Sequence, residues 1–439
     1  MNKDTIFALS SAPGRAAVAV IRVSGSASVE VLTSMAGMVP PHREARMRIV
    51  RHPITKAPID QALVLYFKAP ASETGEDIAE LQIHGGRAVI SATLGALATI
   101  PGCRMAEPGE FARRAFDNGK LDLTAAEGLI DLIDAETEAQ RAQALDQAAG
   151  SLSKLYDGWR QSMIEAQALV EAAIDFADEG DVTAGVYQHA RTSAMALRGA
   201  IEQHLQLANK GEILRSGYQV VLAGPPNAGK SSLLNALAKR DAAIVSEEAG
   251  TTRDIIEVRL DLGGIPVVIS DTAGIRDASG AIEREGIRRT LARARDADLV
   301  VWLVDATAPQ SDLPAEVQAE RCLLVVNKVD SSSADLLAAA ARVSAKTGEG
   351  IDRLAALIAS KAREALGTAT APAPTQERHR LHLLRTQKYI DAFLHGSEAQ
   401  LELRAEDLRL AATELGRLTG RIDPEEVLGQ IFGRFCIGK

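Results

Sequence analysis

The sequence predicts a multidomain α/β protein. It has a domain with a mostly parallel sheet, inserted into a helical domain and preceded by an α+β N-terminal domain. Three observations lead there. The Gly-rich stretch Gly224-Pro225-Pro226-Asn227-Ala228-Gly229-Lys230-Ser231 stands between an apolar run and a segment of helical spacing. Residues 217 to about 365 alternate short apolar runs with helical stretches, the rhythm of strands covered on both faces. On either side of that region the spacing is helical, whereas residues 1–118 mix strand and helix signals.

In chain order, Ala16–Val23, Asp60–Lys68 and Ile78–Ile83 read as strands, and Arg87–Thr99 reads as a helix. This is the α+β domain, residues 1–118. Residues 119–214 form the first helical part. There Leu152, Leu155, Trp159, Met163, Ala166, Val170 and Ala173 fall at steps of three and four, one apolar stripe of a long helix. Within residues 215–372, Gln219–Ala223, Val267–Ser270, Leu299–Val304 and Leu323–Val326 are short apolar strands. Thr368–Pro374 has linker composition. Residues 373–439 return to helical spacing, with Leu408, Ala411, Ala412, Leu415 and Leu418 on one face. The two helical parts are expected to pack together around the inserted domain.

The chain has 439 residues, enough for two or three cores. Aromatics make up 3%, so the cores are aliphatic and helix-rich. The formal net charge is -9, which argues against a broad basic surface; any contact with RNA must come from a local patch or a partner. Cys103, Cys322 and Cys436 lie far apart, with neither zinc nor disulfide spacing, as in a reducing compartment. No stretch approaches the ~18 apolar residues of a membrane span, and residues 1–11 have no signal-peptide pattern. A cytoplasmic chain with no membrane association is expected.

The chemistry centres on the stretch from Gly224 to Ser231. Strand, glycine turn and helix together make it a phosphate loop (P-loop). Its backbone N–H groups, from Asn227 through Gly229 and on to Ser232, converge on phosphate at a helix N-terminus. Lys230 reaches the β- and γ-phosphates, and Ser231 offers a hydroxyl to Mg²⁺. Asp271-Thr272-Ala273-Gly274 closes a strand: the carboxylate can hold Mg²⁺ through water, and Gly274 can offer an N–H to the γ-phosphate. Asn327-Lys328-Val329-Asp330 closes another. The Asp330 carboxylate can accept two N–H donors from a guanine edge, a pattern adenine lacks. Ser344-Ala345-Lys346 supports the base from the other side. Gly250-Thr251-Thr252-Arg253-Asp254 fits a switch segment carrying a second Mg²⁺ hydroxyl. This order of motifs predicts a Ras-like GTPase domain. Ile275 occupies the place where small GTPases often carry a water-orienting glutamine, and Asp277, Glu283 and Glu285 are the nearby acidic candidates for that work.

The chain resembles the MnmE (TrmE) family of tRNA modification GTPases over its full length. The residues that carry the resemblance, beyond the P-loop and the Gly250–Asp254 segment, are Thr74-Gly75-Glu76-Asp77, Leu81–Gly86, Pro108–Phe111, Lys120–Leu123 and Phe435–Lys439. The resemblance implies a tetrahydrofolate-binding and dimerising first domain, a discontinuous helical domain and an inserted G domain. It implies K⁺-dependent association of two G domains that activates hydrolysis, with Asn227 as the K⁺ ligand. Backbone groups around Ser246, Glu248 and Thr251 complete that shell, Ser246 and Thr251 also lying against the nucleotide. Thr252 matches the Mg²⁺ threonine, and Glu283 the water-orienting glutamate that would act with Lys230. Arg22, Glu80, Lys120 and Lys439 match folate-contacting positions, the folate being a 5,10-methylene or 5-formyl derivative. Cys436 lies near the modification chemistry. The implied partners are a second copy, an FAD-dependent protein, MnmG (GidA), in a heterotetramer or larger, and tRNA. The implied product is an aminomethyl or carboxymethylaminomethyl group at C5 of the wobble uridine, U34. The alternative is a regulatory GTPase of the Era or Der kind, which binds RNA or the ribosome without modification chemistry.

Overall fold

The computed structural model describes residues 4–175, 180–240, 257–271, 296–308, 321–332, 339–367, 371–422, 425–435 and 437–438. They form two compact units. The first contains residues 1–130, 147–179 and 399–439; the second contains 131–146 and 180–398. Among the described residues no helix is long and apolar enough to cross a membrane.

The first unit is built on a six-stranded sheet of order β3-β4-β5-β2-β1-β6. Its strands are β1 (Thr5–Leu9), β2 (Ala16–Ser24), β3 (Arg46–Arg51), β4 (Pro58–Phe67), β5 (Ile78–Gly85) and β6 (Cys103–Met105). All neighbours are antiparallel except β1 and β6. Period-two alternation decides the faces. Ala19, Ile21 and Val23 of β2 and Leu81 and Ile83 of β5 are buried, while Val18 is 54% exposed. The inner face is covered by α1 (Ser28–Val31), the π-turn Leu32–Ala36, and α2 (Arg87–Leu97). Strand β3 escapes a sequence reading because its alternating positions are arginines.

Helices α3 (Glu110–Asp117), α4 (Leu123–Ile133), α5 (Glu138–Ala148) and α6 (Ser151–Asp175) follow. The Asp122 carboxylate caps α4, accepting the Ala125 N–H at 3.0 Å and the Ser153 hydroxyl at 2.6 Å. The expected stripe of α6 is largely buried, but Leu155 and Trp159 are only half-buried, and Tyr156 and Ser153 are buried in their stead. Ser153 is drawn in by its bonds to Asp122 and Thr124, a polar anchor that an apolar pattern does not reveal. Against α6 lies the late helix Leu401–Thr419, on which Leu408, Ala411, Ala412, Leu415 and Leu418 are all buried. The Arg421 guanidinium clamps Asp157 of α6 with two bonds of 2.9 and 2.6 Å.

The second unit holds the sheet β12-β11-β10-β7-β9-β8. Strands β7 (Tyr218–Ala223), β9 (Pro266–Asp271), β10 (Leu299–Asp305), β11 (Cys322–Asn327) and β12 (Ala341–Arg342) are parallel, and β8 (Glu257–Asp261) pairs antiparallel at the edge. Helices α7 (Gly180–Leu205), α8 (Ala208–Ser216), α9 (Lys230–Arg240), α10 (Ile351–Leu366) and α11 (Glu377–His395) belong to it. Continuing the numbering, Leu401–Thr419 is α12 and Glu425–Phe432 is α13. Helices α7 and α11 pack together through an edge-on Tyr187–Phe393 contact at 5.7 Å and an Arg198–Asp391 ion pair at 2.5 Å. The segment read as a linker ends packed: Pro374 and Thr375 are buried, so composition overstated its freedom there.

Candidate functional site

Strand β7 runs between β9 and β10, and the chain crosses from one side of it to the other. The crevice beyond the carboxyl ends of the strands at such a switch point is where open α/β sheets bind ligands. The predicted loops meet there. Gly224 leaves β7 at φ +140°, and a Cβ on it would sit 2.4 Å from the Leu303 carbonyl oxygen, so no side chain fits. Asn227 holds a left-handed φ of +61° with its side chain exposed. The Lys230 ammonium, 8% exposed as a residue, donates to the Gly224 and Pro225 carbonyls at 3.0 Å each. Burial lowers its pKa, and the nearby Asp271 opposes that shift.

Ser231 donates to the buried Asp271 at 2.5 Å, so the end of β9 stands directly against the first turn of α9. A hydroxyl and a carboxylate are hard oxygen donors of the kind Mg²⁺ takes, and neighbouring ligands on its octahedron lie about 2.9 Å apart. A small outward movement of the two oxygens would therefore admit the ion or its bound water.

Asn327 ties the Asn327–Asp330 segment to the Gly224–Ser231 loop. Its amide donates to the Ala228 carbonyl at 2.8 Å, and its oxygen accepts the Ala345 N–H at 3.1 Å. The Asp330 carboxylate accepts the Ser344 hydroxyl at 2.6 Å and the Ser331 hydroxyl at 3.2 Å, and the Ser344 bond leads in lowering its pKa. It is thus an ionised double acceptor. Lys346 adds positive potential beside it. Sequence reasoning missed Asp305. Its carboxylate meets the Lys328 ammonium at 2.6 Å and accepts the Thr307 N–H and hydroxyl. An acid closing β10, as Asp271 closes β9, was the available signal.

A second cluster lies in the first unit. Arg22 and Glu80 are cross-strand partners on β2 and β5, joined at 3.1 and 3.2 Å. The Arg22 guanidinium also meets Glu73 at 2.7 Å and lies over the Phe111 ring at 5.9 Å. Lys120 comes two residues after Asn118, whose amide donates to the Thr74 carbonyl at 2.7 Å. Lys120 thus borders the loop that carries Glu73. It also lines a cavity of about 350 Å³ together with Phe116, Asp122, Asp157 and Arg421. Ile437 bridges to Pro108, and Ser10 donates to the Gly438 carbonyl at 2.8 Å. Ser246, Glu248, Thr251, Thr252, Thr272, Ala273, Gly274, Glu283, Cys436 and Lys439 lie outside the described residues.

Two family models cover almost all of the chain: "GTP-binding protein TrmE N-terminus" matches residues 5–120, and "MnmE helical domain" matches residues 123–436. The chain belongs to the MnmE (TrmE) family. Three MnmE relatives, each described as a tRNA modification GTPase, align end to end. That of Parvibaculum lavamentivorans is 51% identical over 99% of this chain and 100% of its own length. That of Rhodospirillum rubrum is 50% identical over 100% of both. That of Caulobacter vibrioides is 48% identical over 99% of this chain and 100% of its own.

Proposed function

We propose that this protein is a GTP hydrolase of tRNA modification, and that pairing of two G domains around K⁺ switches hydrolysis on. The observation that carries the nucleotide reading is the Asn327 bridge, which joins the phosphate loop to the segment holding Asp330 and Ser344. The same side-chain amide is bound on both of its ends, so the distance between phosphate grip and base reader is set before a ligand arrives. Asp330 stays ionised and selects guanine by leaving other bases with unpaired polar groups. Lys230 turns its ammonium from backbone carbonyls toward the β- and γ-phosphates. Ser231 and Thr252 are the proposed Mg²⁺ hydroxyls, with Asp271 acting through water. Mg²⁺ supplies charge neutralisation on the phosphates when bound.

Asn227 is the proposed K⁺ ligand, with the segment around Ser246, Glu248 and Thr251. Its exposure at the turn of the phosphate loop supports this, since a side-chain oxygen there can face the β- and γ-phosphates. Glu283 is proposed to orient the attacking water, the task for which Ile275 has no polar atom. Arg22, Glu80, Lys120 and Lys439 are proposed to hold a tetrahydrofolate, and Cys436 to lie close to the modification step. Glu80 can accept from a pterin edge, and the cations suit its carbonyl and carboxylate oxygens. In this reading the chain acts with the FAD-dependent MnmG to modify U34 of tRNA.

Two measurements test the proposal. GTP turnover is expected to rise severalfold in K⁺ over Na⁺ buffer, and Asn227→Ala to abolish that rise while leaving the basal rate. Anaerobic reconstitution with the flavoprotein, tRNA, GTP, methylene-tetrahydrofolate and either glycine or ammonium as the amino donor should yield modified uridine by mass spectrometry. GTPase activity without that product would point instead to the regulatory Era- or Der-like reading.

A further inference from the structure

Charge is distributed unevenly along the chain. Residues 41–58 hold Arg43, Arg46, Arg48, Arg51 and Lys56 against the single carboxylate of Glu44, a net +4 in a chain of net -9. The other residues therefore carry -13. All five cations are exposed, and they sit on or beside β3, the edge strand of the first unit's sheet. Among the described residues the one acid paired with them is Glu44, at 2.5 Å from Arg46. The register places Arg46 and Arg48 opposite Val64 and Ala62, and Arg51 opposite Pro58. Met47 and Ile49, between the arginines, are 51% and 47% exposed.

Charge on an edge strand also prevents strand-to-strand pairing, but that need not be cationic throughout, and here five cations stand against one carboxylate. Five cations on one hairpin form a local positive potential of the kind that phosphate chains seek. Arginine forks suit phosphate oxygens. A second copy is disfavoured as the occupant, because a symmetric contact through this edge would bring two like-charged, net-positive segments together. The segment has no Phe, Tyr or Trp to stack on bases, so it grips backbone and does not read sequence.

We infer that the β3–β4 hairpin, with Arg43, Arg46, Arg48, Arg51 and Lys56, is a docking surface for the phosphate backbone of tRNA. The inference rests on the proposed role in tRNA modification and places the contact on the first unit, whereas the Gly224–Ser231 and Asn327–Asp330 loops belong to the second.

The test is binding of an unmodified tRNA transcript to the full chain, by fluorescence anisotropy across a salt series. The variant Arg43→Gln/Arg46→Gln/Arg48→Gln/Arg51→Gln is expected to lower affinity at least about tenfold at 100 mM salt and to reduce the slope of log K against log[salt] by about 3. The corresponding fourfold Arg→Lys variant should keep most of that slope, and a tRNA of unrelated sequence should bind as well as the cognate one. Should the fourfold Gln variant fail to fold, Arg46→Gln/Arg48→Gln and Arg43→Gln/Arg51→Gln should each remove about half of the slope change. Wild-type affinity and slope in a folded variant overturn the inference and leave tRNA modification standing. A variant with unchanged RNA affinity but a different oligomeric state by light scattering also overturns it, assigning the edge to contact between copies. If the wild-type chain binds no tRNA at low salt, the inference again falls, and the modification assay alone then judges the tRNA reading.

Discussion

Asp305 accepts bonds from the Lys328 ammonium and from the amide and hydroxyl of Thr307. Burial would raise its pKa, but those three donors more than offset this and hold it below the usual carboxylate range. Lys328 adopts a left-handed φ of +64°, and the ion pair fixes where its stem lies at the proposed base-reading loop. Asp305→Ala is expected to weaken GDP and GTP binding about tenfold, with the apo melting temperature little changed, while Asp305→Asn recovers part of the affinity. Equal affinities in titration of all three forms would remove the positioning role. In the first unit, Glu110 shows the same logic in a half-buried setting. Burial would raise its pKa, yet bonds from Arg104, the Glu107 amide and Arg114 bring it down to about 2. A depressed carboxylate contributes stability that is present above its unfolded pKa, near 4.5, and is lost as pH falls towards 2. Glu110→Gln should therefore lower stability by on the order of 1–2 kcal/mol at neutral pH once solvent screening is allowed for, and the deficit should shrink in urea titrations carried out between pH 4.5 and 2.

Helix α6 separates apolar spacing from actual burial. Met163 is fully buried, so Met163→Ala is expected to cost about 2–5 kcal/mol, whereas Leu155→Ala, at a half-buried position, should cost clearly less. Denaturant melts of the two variants check the ranking. Strands β7, β9 and β11 were legible because each ends on a glycine turn, an acid or an amide in a contiguous motif, and β10 because its apolar run is unbroken. Strand β3 was hidden by its arginines, and β8 by its charged alternation at the antiparallel edge. The partnership of Lys328 with Asp305 was hidden for another reason: the two are 23 residues apart and meet only where β10 and β11 lie side by side. Local pattern reveals elements; pairs that span neighbouring strands become visible only with the register.

At the scale of the molecule, residues from the two ends of the chain meet inside one unit. Ser10 and Gly438 are hydrogen-bonded across 428 positions. A Cβ on Gly438 would lie 2.2 Å from the Leu9 carbonyl oxygen, at a φ of +99°. Gly438→Ala should therefore detach this segment and speed amide hydrogen exchange around Ser10 and Ile437 severalfold, with GTP turnover in Na⁺ unaffected. This closure also orders events on the ribosome. Helix α6 and the first unit's sheet are made before the β7–β12 sheet, and their partner α12 is made after it. The nascent chain thus completes the β7–β12 sheet while the unit that started earlier still waits, with the apolar side of α6 uncovered, for α12.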